Sequence, residues 1–266
     1  MLDAGYLAYL DLLKRSLCDF LYDQDAGSNQ ADHTMTNLQT GQKTVFSNYE
    51  DLKREGLIDS KVCHSLIGLK RMDQLQQALI TLEKENVVGD VMETGVLRGG
   101  ACIFMRGILK ALNNTRRQVW VADSFRGFPP AQLTERGIAD PVGFNAQAAS
   151  LDTVKQTFER YRLLDEQVRF LPGYFEDTLP TYLSEVHPPL ALLRLDSDFY
   201  PSTRYVLEKL YPRISEGGFI VVDDYYIFEE CRRAVREYRQ SQGIKSPLQR
   251  IDAAAVYWRK GPHKIT

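Results

Sequence analysis

Apolar residues recur at helical spacing near the start of the chain, at Leu7, Leu10, Leu13, Leu17, Phe20 and Leu21, and predict a helix over residues 1–23. Such a stripe must be buried, over an acceptor site or on a neighbouring subunit. Residues 24–47 lose this periodicity and carry Gly27, Asn29, Asp32, Asn37 and Gly41, which reads as a mobile polar loop. Helical patterns return over about 48–57 and 62–85. In the longer one Leu66, Leu69, Met72, Leu75, Leu79 and Leu82 form the core-facing stripe.

Beyond residue 85 the period changes. Short apolar runs at 88–93, 119–123, 168–171, 190–196 and 219–223 each end in turn or acidic residues, and helical patterns at about 100–112, 152–163, 202–211 and 228–241 separate them. This alternation predicts a parallel sheet with crossover helices, covered on both faces. The run at 253–258 follows its predecessor at about 247–251 too closely for a crossover, so the two are expected to form an antiparallel edge hairpin. Residues 126–150 contain Pro129-Pro130 and few periodic apolar positions, as a functional lid does.

With 266 residues, 44% of them hydrophobic, the chain can bury a full core without disulfides or a structural metal. A net charge of −2, from 33 basic and 35 acidic residues, gives no footprint for nucleic acid. The densest basic group, Arg232, Arg233, Arg236 and Arg239, reads as a solvated helix face. No run approaches membrane-spanning length and the N-terminus lacks a signal-peptide pattern, so no membrane partner and a cytoplasmic location are expected. Cys18, Cys63, Cys102 and Cys231 are spaced as free thiols. The four histidines form no metal or nucleophile arrangement, and His64 reads as a structural histidine.

The chemistry gathers at the carboxyl ends of the strands, where open α/β sheets bind ligands. Those ends carry seven carboxylates: Glu93, Asp123, Asp177, Asp196, Asp198, Asp223 and Asp224. The first strand runs into Gly95, Gly99 and Gly100, which is not the dinucleotide fingerprint. Glu93 just before this loop would repel a pyrophosphate but suits a cationic ligand such as S-adenosylmethionine. Asp123 is placed to accept hydrogen bonds from a ribose diol. Asp196, Asp223 and Asp224 have the oxygen chemistry of a magnesium site, although Asp198 and Asp224 also suit helix caps.

At these residues the sequence resembles the macrocin O-methyltransferase family. The matching stretches include His64-Ser-Leu-Ile-Gly-Leu-Lys-Arg-Met-Asp-Gln-Leu75, Gly89-Asp-Val-Met-Glu-Thr-Gly-Val-Leu-Arg-Gly-Gly-Ala-Cys102, Val121-Ala-Asp-Ser-Phe-Arg-Gly-Phe-Pro-Pro130, Leu193-Arg-Leu-Asp-Ser-Asp-Phe-Tyr-Pro-Ser-Thr203 and Gly217-Gly-Phe-Ile-Val-Val-Asp-Asp-Tyr225. The likeness spans about 60–260; the first 60 residues share only length and helical character. It implies a Rossmann-like class I S-adenosylmethionine-dependent methyltransferase fold: a mostly parallel seven-stranded α/β sheet, a C-terminal antiparallel hairpin and an N-terminal helical extension. The extension and lid would occupy 1–60 and the methyltransferase domain 61–266.

The resemblance further implies S-adenosylmethionine, Mg2+ and methylation of a sugar hydroxyl on a glycosylated small molecule of antibiotic type. Glu93, Thr94, Gly95, Gly99, Asp123, Ser124, Gly173 and Phe175 would hold the cofactor, Asp196, Asp223 and Asp224 the metal, and Asp198 would be the catalytic base. A homo-oligomer, dimer or larger, is expected. Residues 24–47 and 126–150 do not match, so the acceptor pocket is expected there. A catechol-type enzyme acting on a phenol is the alternative with the same metal chemistry.

Overall fold

In the computed structural model, residues 4–21, 33–36, 43–46, 49–57, 63–135, 137, 140, 145 and 148–261 are described. The N-terminal stripe forms α1 (Ala4–Leu17), with Leu10, Leu13 and Leu17 buried. The helix stops where Asp19 turns left-handed, short of the predicted residue 23. The expected loop at 24–47 instead contains two paired strands. β1 (His33–Thr36) runs antiparallel to β2 (Lys43–Phe46), with His33 opposite Phe46. Two short strands with so few periodic apolar positions leave little pattern to read.

α2 (Tyr49–Arg54) precedes α3 (Gly68–Lys84), whose buried face includes Met72, Leu75, Leu79 and Leu82. The long helix expected from residue 62 therefore begins later. Gly68 has φ 70°, and the Leu17 carbonyl accepts from both His64 N–H (2.9 Å) and Ser65 N–H (3.0 Å). That tie holds residues 63–67 as an irregular segment, which becomes part of the site below.

The sheet follows from β3 (Asp90–Thr94), α4 (Gly100–Ala111), β4 (Val119–Asp123), α5 (Pro130–Glu135), α6 (Leu151–Arg160) and β5 (Val168–Pro172). Next come α7 (Phe175–Ser184), β6 (Leu190–Leu195), α8 (Tyr200–Leu210), β7 (Ile214–Val222), α9 (Glu229–Ser241), β8 (Gln249–Arg250) and β9 (Val256–Arg259). Its order is β5-β4-β3-β6-β7-β9-β8, parallel through β7, with β9 antiparallel to both neighbours. This is the expected mostly parallel seven-stranded sheet with its C-terminal antiparallel hairpin. The pattern at 175–184 went unread because Pro180 interrupts it, yet Leu179 and Tyr182 are buried on α7.

β3 and β6 are buried along their whole length, as strands covered on both faces are, and their polar positions are Asp90, Glu93, Thr94 and Arg194. One core, with α1, α3 and α4, packs on one face, and a second, with α7, α8 and α9, on the other. Leu13 lies so close to α4 that a methyl at Gly107 would come within 2.4 Å of it. The basic group on α9 is not uniformly solvated: Arg232 is buried beside Glu229, and Arg239 lies over the Trp258 ring. No helix among the described residues is long and apolar enough to cross a membrane.

Candidate active site

Strand register brings the site together. Thr94 pairs with Ala122 on one side and Leu195 on the other, and Leu195 pairs with Val222. The next residues, Gly95, Asp123, Asp196 and Asp223, therefore emerge side by side above the sheet. Around them lies a cavity of about 540 Å3, lined by Glu93, Gly95, Asp123, Ser124, Gly173, Phe175, Asp196, Asp198, Asp223 and Asp224 among others. Two predicted residues are not in its wall. Thr94 is buried with its hydroxyl donating to the Arg194 carbonyl at 3.3 Å, and Gly99 faces Val154 and Phe158. Asp177 is exposed on α7 and borders a different, smaller cavity.

The glycine loop is tight because neighbouring backbone leaves no room. Gly95 has φ 86°, and a methyl there would lie 1.7 Å from the Asp196 carbonyl oxygen. Asp123 holds the loop from the next strand end: its Oδ2 accepts from Val96 N–H and its Oδ1 from Phe125 N–H, both at 2.7 Å. The carboxylate keeps further lone pairs for a ligand diol. Ser124 Oγ donates to the Gly127 carbonyl at 2.6 Å. Asn145 brackets Phe128, accepting its N–H at 2.8 Å and donating to its carbonyl at 2.9 Å, while the Phe128 ring lies 4.8 Å from Phe199. Phe128 and Asn145 are thus tied to the loop after β6.

Deeper in, Glu93 accepts from the Cys102 thiol at 2.8 Å and from Arg194. Burial, opposed by the Arg194 charge, pushes its carboxyl up to about 7. Arg194 projects from the otherwise apolar strand β6, one residue before its carboxyl end, and also donates to Asp196 (2.7 Å) and Asp223. Arg71, from α3, donates to the other Asp223 oxygen and to Asp252 Oδ2 at 2.6 Å. Both oxygens of Asp223 thus face guanidinium groups.

Asp196, Asp198 and Asp224 form a second tier, each offering a carboxylate oxygen within 4.8 Å of the other two. Withdrawal from water, then the Asp196 charge, pushes Asp198 up to about 7. Burial and then Asp223 raise Asp196; burial and then Asp198 raise Asp224 well above the carboxylate range. Asp224 Oδ2 is buried with no hydrogen-bond partner. Six carboxylates (Glu93, Asp196, Asp198, Asp223, Asp224 and, behind the wall, Asp252) thus gather here, and among the described residues the cations that pair with them are Arg71 and Arg194. Such an excess of negative charge, with oxygen donors converging on one point, fits a hard divalent cation.

Sequence reading missed Arg71, Arg194 and Asp252. A lone arginine inside the apolar run 190–196 was the available signal for Arg194; Arg71 carried none, lying 152 residues from Asp223. His64 lines the same cavity and is also satisfied structurally, its Nδ1 lying 2.8 Å from the Tyr161 hydroxyl. Burial and then Arg160 lower its pKa.

A family model described as macrocin O-methyltransferase (TylF) matches residues 7–260, well into the N-terminal extension. The chain is 44% identical to mycinamicin III 3''-O-methyltransferase of Micromonospora griseorubida over 96% of its length and 97% of the relative's. It is 42% identical to a rhamnosyl-tetracenomycin-C 4'-O-methyltransferase of Streptomyces olivaceus, covering 94% and 92%. The solved O-methyltransferase NovP superposes with a TM-score of 0.82 at 40% identity, over 97% of this chain and all of that one. With the family model, the relatives and the fold in agreement, the chain belongs to the macrocin O-methyltransferase (TylF) family and is an S-adenosylmethionine-dependent O-methyltransferase.

Proposed function

We propose that this enzyme methylates a sugar hydroxyl of a glycosylated natural product with the help of a divalent cation, Mg2+. The observation that carries the reading is the convergence of Asp196, Asp198 and Asp224 beside the glycine loop. The acceptors named for the relatives support it, since they are glycosylated antibiotics. S-adenosylmethionine, when bound, supplies an electrophilic methyl carbon. The cation, when bound, supplies Lewis acidity toward a hydroxyl that is otherwise a very weak acid.

In this reading Glu93, Gly95, Asp123, Ser124, Gly173 and Phe175 form the cofactor half of the cavity, and Thr94 and Gly99 support the loop from behind. Asp196 and Asp224 hold the cation together with Asp223, which lies outside the converging trio and would reach it with the lone pairs that Arg71 and Arg194 leave free, while Arg194 orients Asp196 and Asp223. Asp198 takes the acceptor's proton on its carboxylate. Its left-handed backbone (φ 55°) lets it leave the strand direction and face the same point as Asp224. The reading extends to self-association through the exposed Leu7 and Leu12 on α1, and to a reducing cytoplasm, in keeping with four buried free thiols.

The test is methyl transfer from labelled cofactor to mycinamicin III and other glycosylated antibiotics, with their sugar-free forms as controls. Label should appear on the sugar, vanish with a chelator and return with Mg2+. Label on a phenol of the sugar-free form would favour the catechol-type reading. Full transfer in excess chelator would remove the cation from the account.

A further inference from the structure

The acid half of the cavity has a wall that comes from the N-terminal extension, and one side chain fastens it. Gly56 and Arg71 both line the cavity, and Arg71 is 3% exposed. Its guanidinium reaches three segments of the chain beyond its own helix. One Nη donates to Asp223, and Nε donates to Asp252 Oδ2 at 2.6 Å. The other Nη donates to the Glu55 carbonyl at 2.9 Å and leans on the Gly56 carbonyl at 3.4 Å.

Each partner is itself fixed. Asp252 Oδ1 accepts from Ala254 and Ala255 N–H, both at 2.8 Å, and Glu55 Oε2 accepts from Ala253 N–H at 2.9 Å. The backbone of residues 54–56 presses on the start of α3: a methyl at Gly68 would fall 2.4 Å from Gly56 N, and one at Gly56 would fall 2.5 Å from the Ile67 carbonyl. Segment 49–57 thus has a rigid seat, and Arg71 links it to Asp223 at the end of β7.

We infer that Arg71 is a positioning residue that sets the distance between the segment 49–57 and the acid cluster, and so fixes the acceptor half of the cavity while leaving the cofactor half alone. The asymmetry is geometric. The cofactor half is held by Asp123, Asn145 and the glycine loop, none of which Arg71 contacts. Only a planar group with donors on three nitrogens satisfies two carboxylates and two carbonyls at once; a lysine ammonium keeps the charge and loses the fork. The acceptor role of this wall rests on the function proposed above, whereas the seating of segment 49–57 does not.

The test compares wild type with Arg71→Lys and with Asp252→Asn, which keeps the arginine and weakens one of its anchors. Hydrogen exchange should quicken at least tenfold across 49–57 in both variants and stay unchanged in α4. Using a glycosylated acceptor that wild type methylates, KM for the acceptor should rise about tenfold or more, kcat should change less than threefold, and cofactor affinity by calorimetry should stay within twofold. Unchanged exchange at 49–57 in both variants would overturn the inference. So would a loss that falls equally on cofactor affinity. If wild type methylates no glycosylated acceptor, the function proposed above fails, and the exchange measurement still decides whether Arg71 seats this segment.

Discussion

Asp123 does two jobs with one carboxylate. It fastens the glycine loop through Val96 N–H and its own turn through Phe125 N–H, while lining the cavity. Asp123→Ala should therefore weaken S-adenosylmethionine binding at least tenfold, about 1.4 kcal/mol, because both the loop and a diol acceptor are lost. Calorimetry on the folded variant checks this, and unchanged affinity would contradict it. Glu93 makes a pH prediction. Its folded pKa of about 7 lies above the ordinary 4.5, with burial as the leading cause, so the folded state holds the extra proton between those values. Stability from this group is then greatest below about pH 4.5 and declines as pH rises toward 7. Urea unfolding of the ligand-free protein at pH 5 and pH 8 should show a smaller drop for Glu93→Gln than for wild type. Equal drops would mean that Glu93 is already ionised in the fold.

The elements explain what was legible in the sequence. The strands were readable because a sheet covered on both faces demands near-continuous apolar runs, and their carboxyl ends then pointed to Glu93, Asp123, Asp196 and Asp223 without any contact information. Asp196 and Asp198 lie beyond β6, which ends at Leu195, and with the left-handed turn at Asp198 their carboxylates converge. The pairing of Arg71 with Asp223 and Asp252 was illegible, since no local period links α3 to the ends of β7 and β8. α1 shows how a correct helix can be given the wrong neighbour: Leu10, Leu13 and Leu17 pack in the core with α4. Leu13→Ala should cost about 2–4 kcal/mol of stability, measured by urea unfolding, with cofactor affinity unchanged once folded. A cost below 1 kcal/mol would show that this helix is not part of the folding unit.

For the molecule as a whole, the sheet serves as a stage with two halves. β3, β4 and β5 end in the glycine loop, Asp123 and the Gly173 turn, while β6 and β7 end in carboxylates whose charge exceeds what two arginines offset. The proposed division of labour puts the cofactor on one side and the cation with the acceptor on the other. It gives the neighbours Asp196 and Asp198 different work, one toward the cation and one toward the proton. The measurement that tests this most directly is methyl transfer titrated with Mg2+ in wild type, Asp196→Asn and Asp198→Asn. Asp196→Asn should need more Mg2+ and regain part of its rate as Mg2+ rises. Asp198→Asn should keep the wild-type Mg2+ midpoint and lose about a hundredfold or more in rate, a loss that added Mg2+ does not restore. Rescue of Asp198→Asn by Mg2+, or losses of only a few-fold in both variants, would contradict the account.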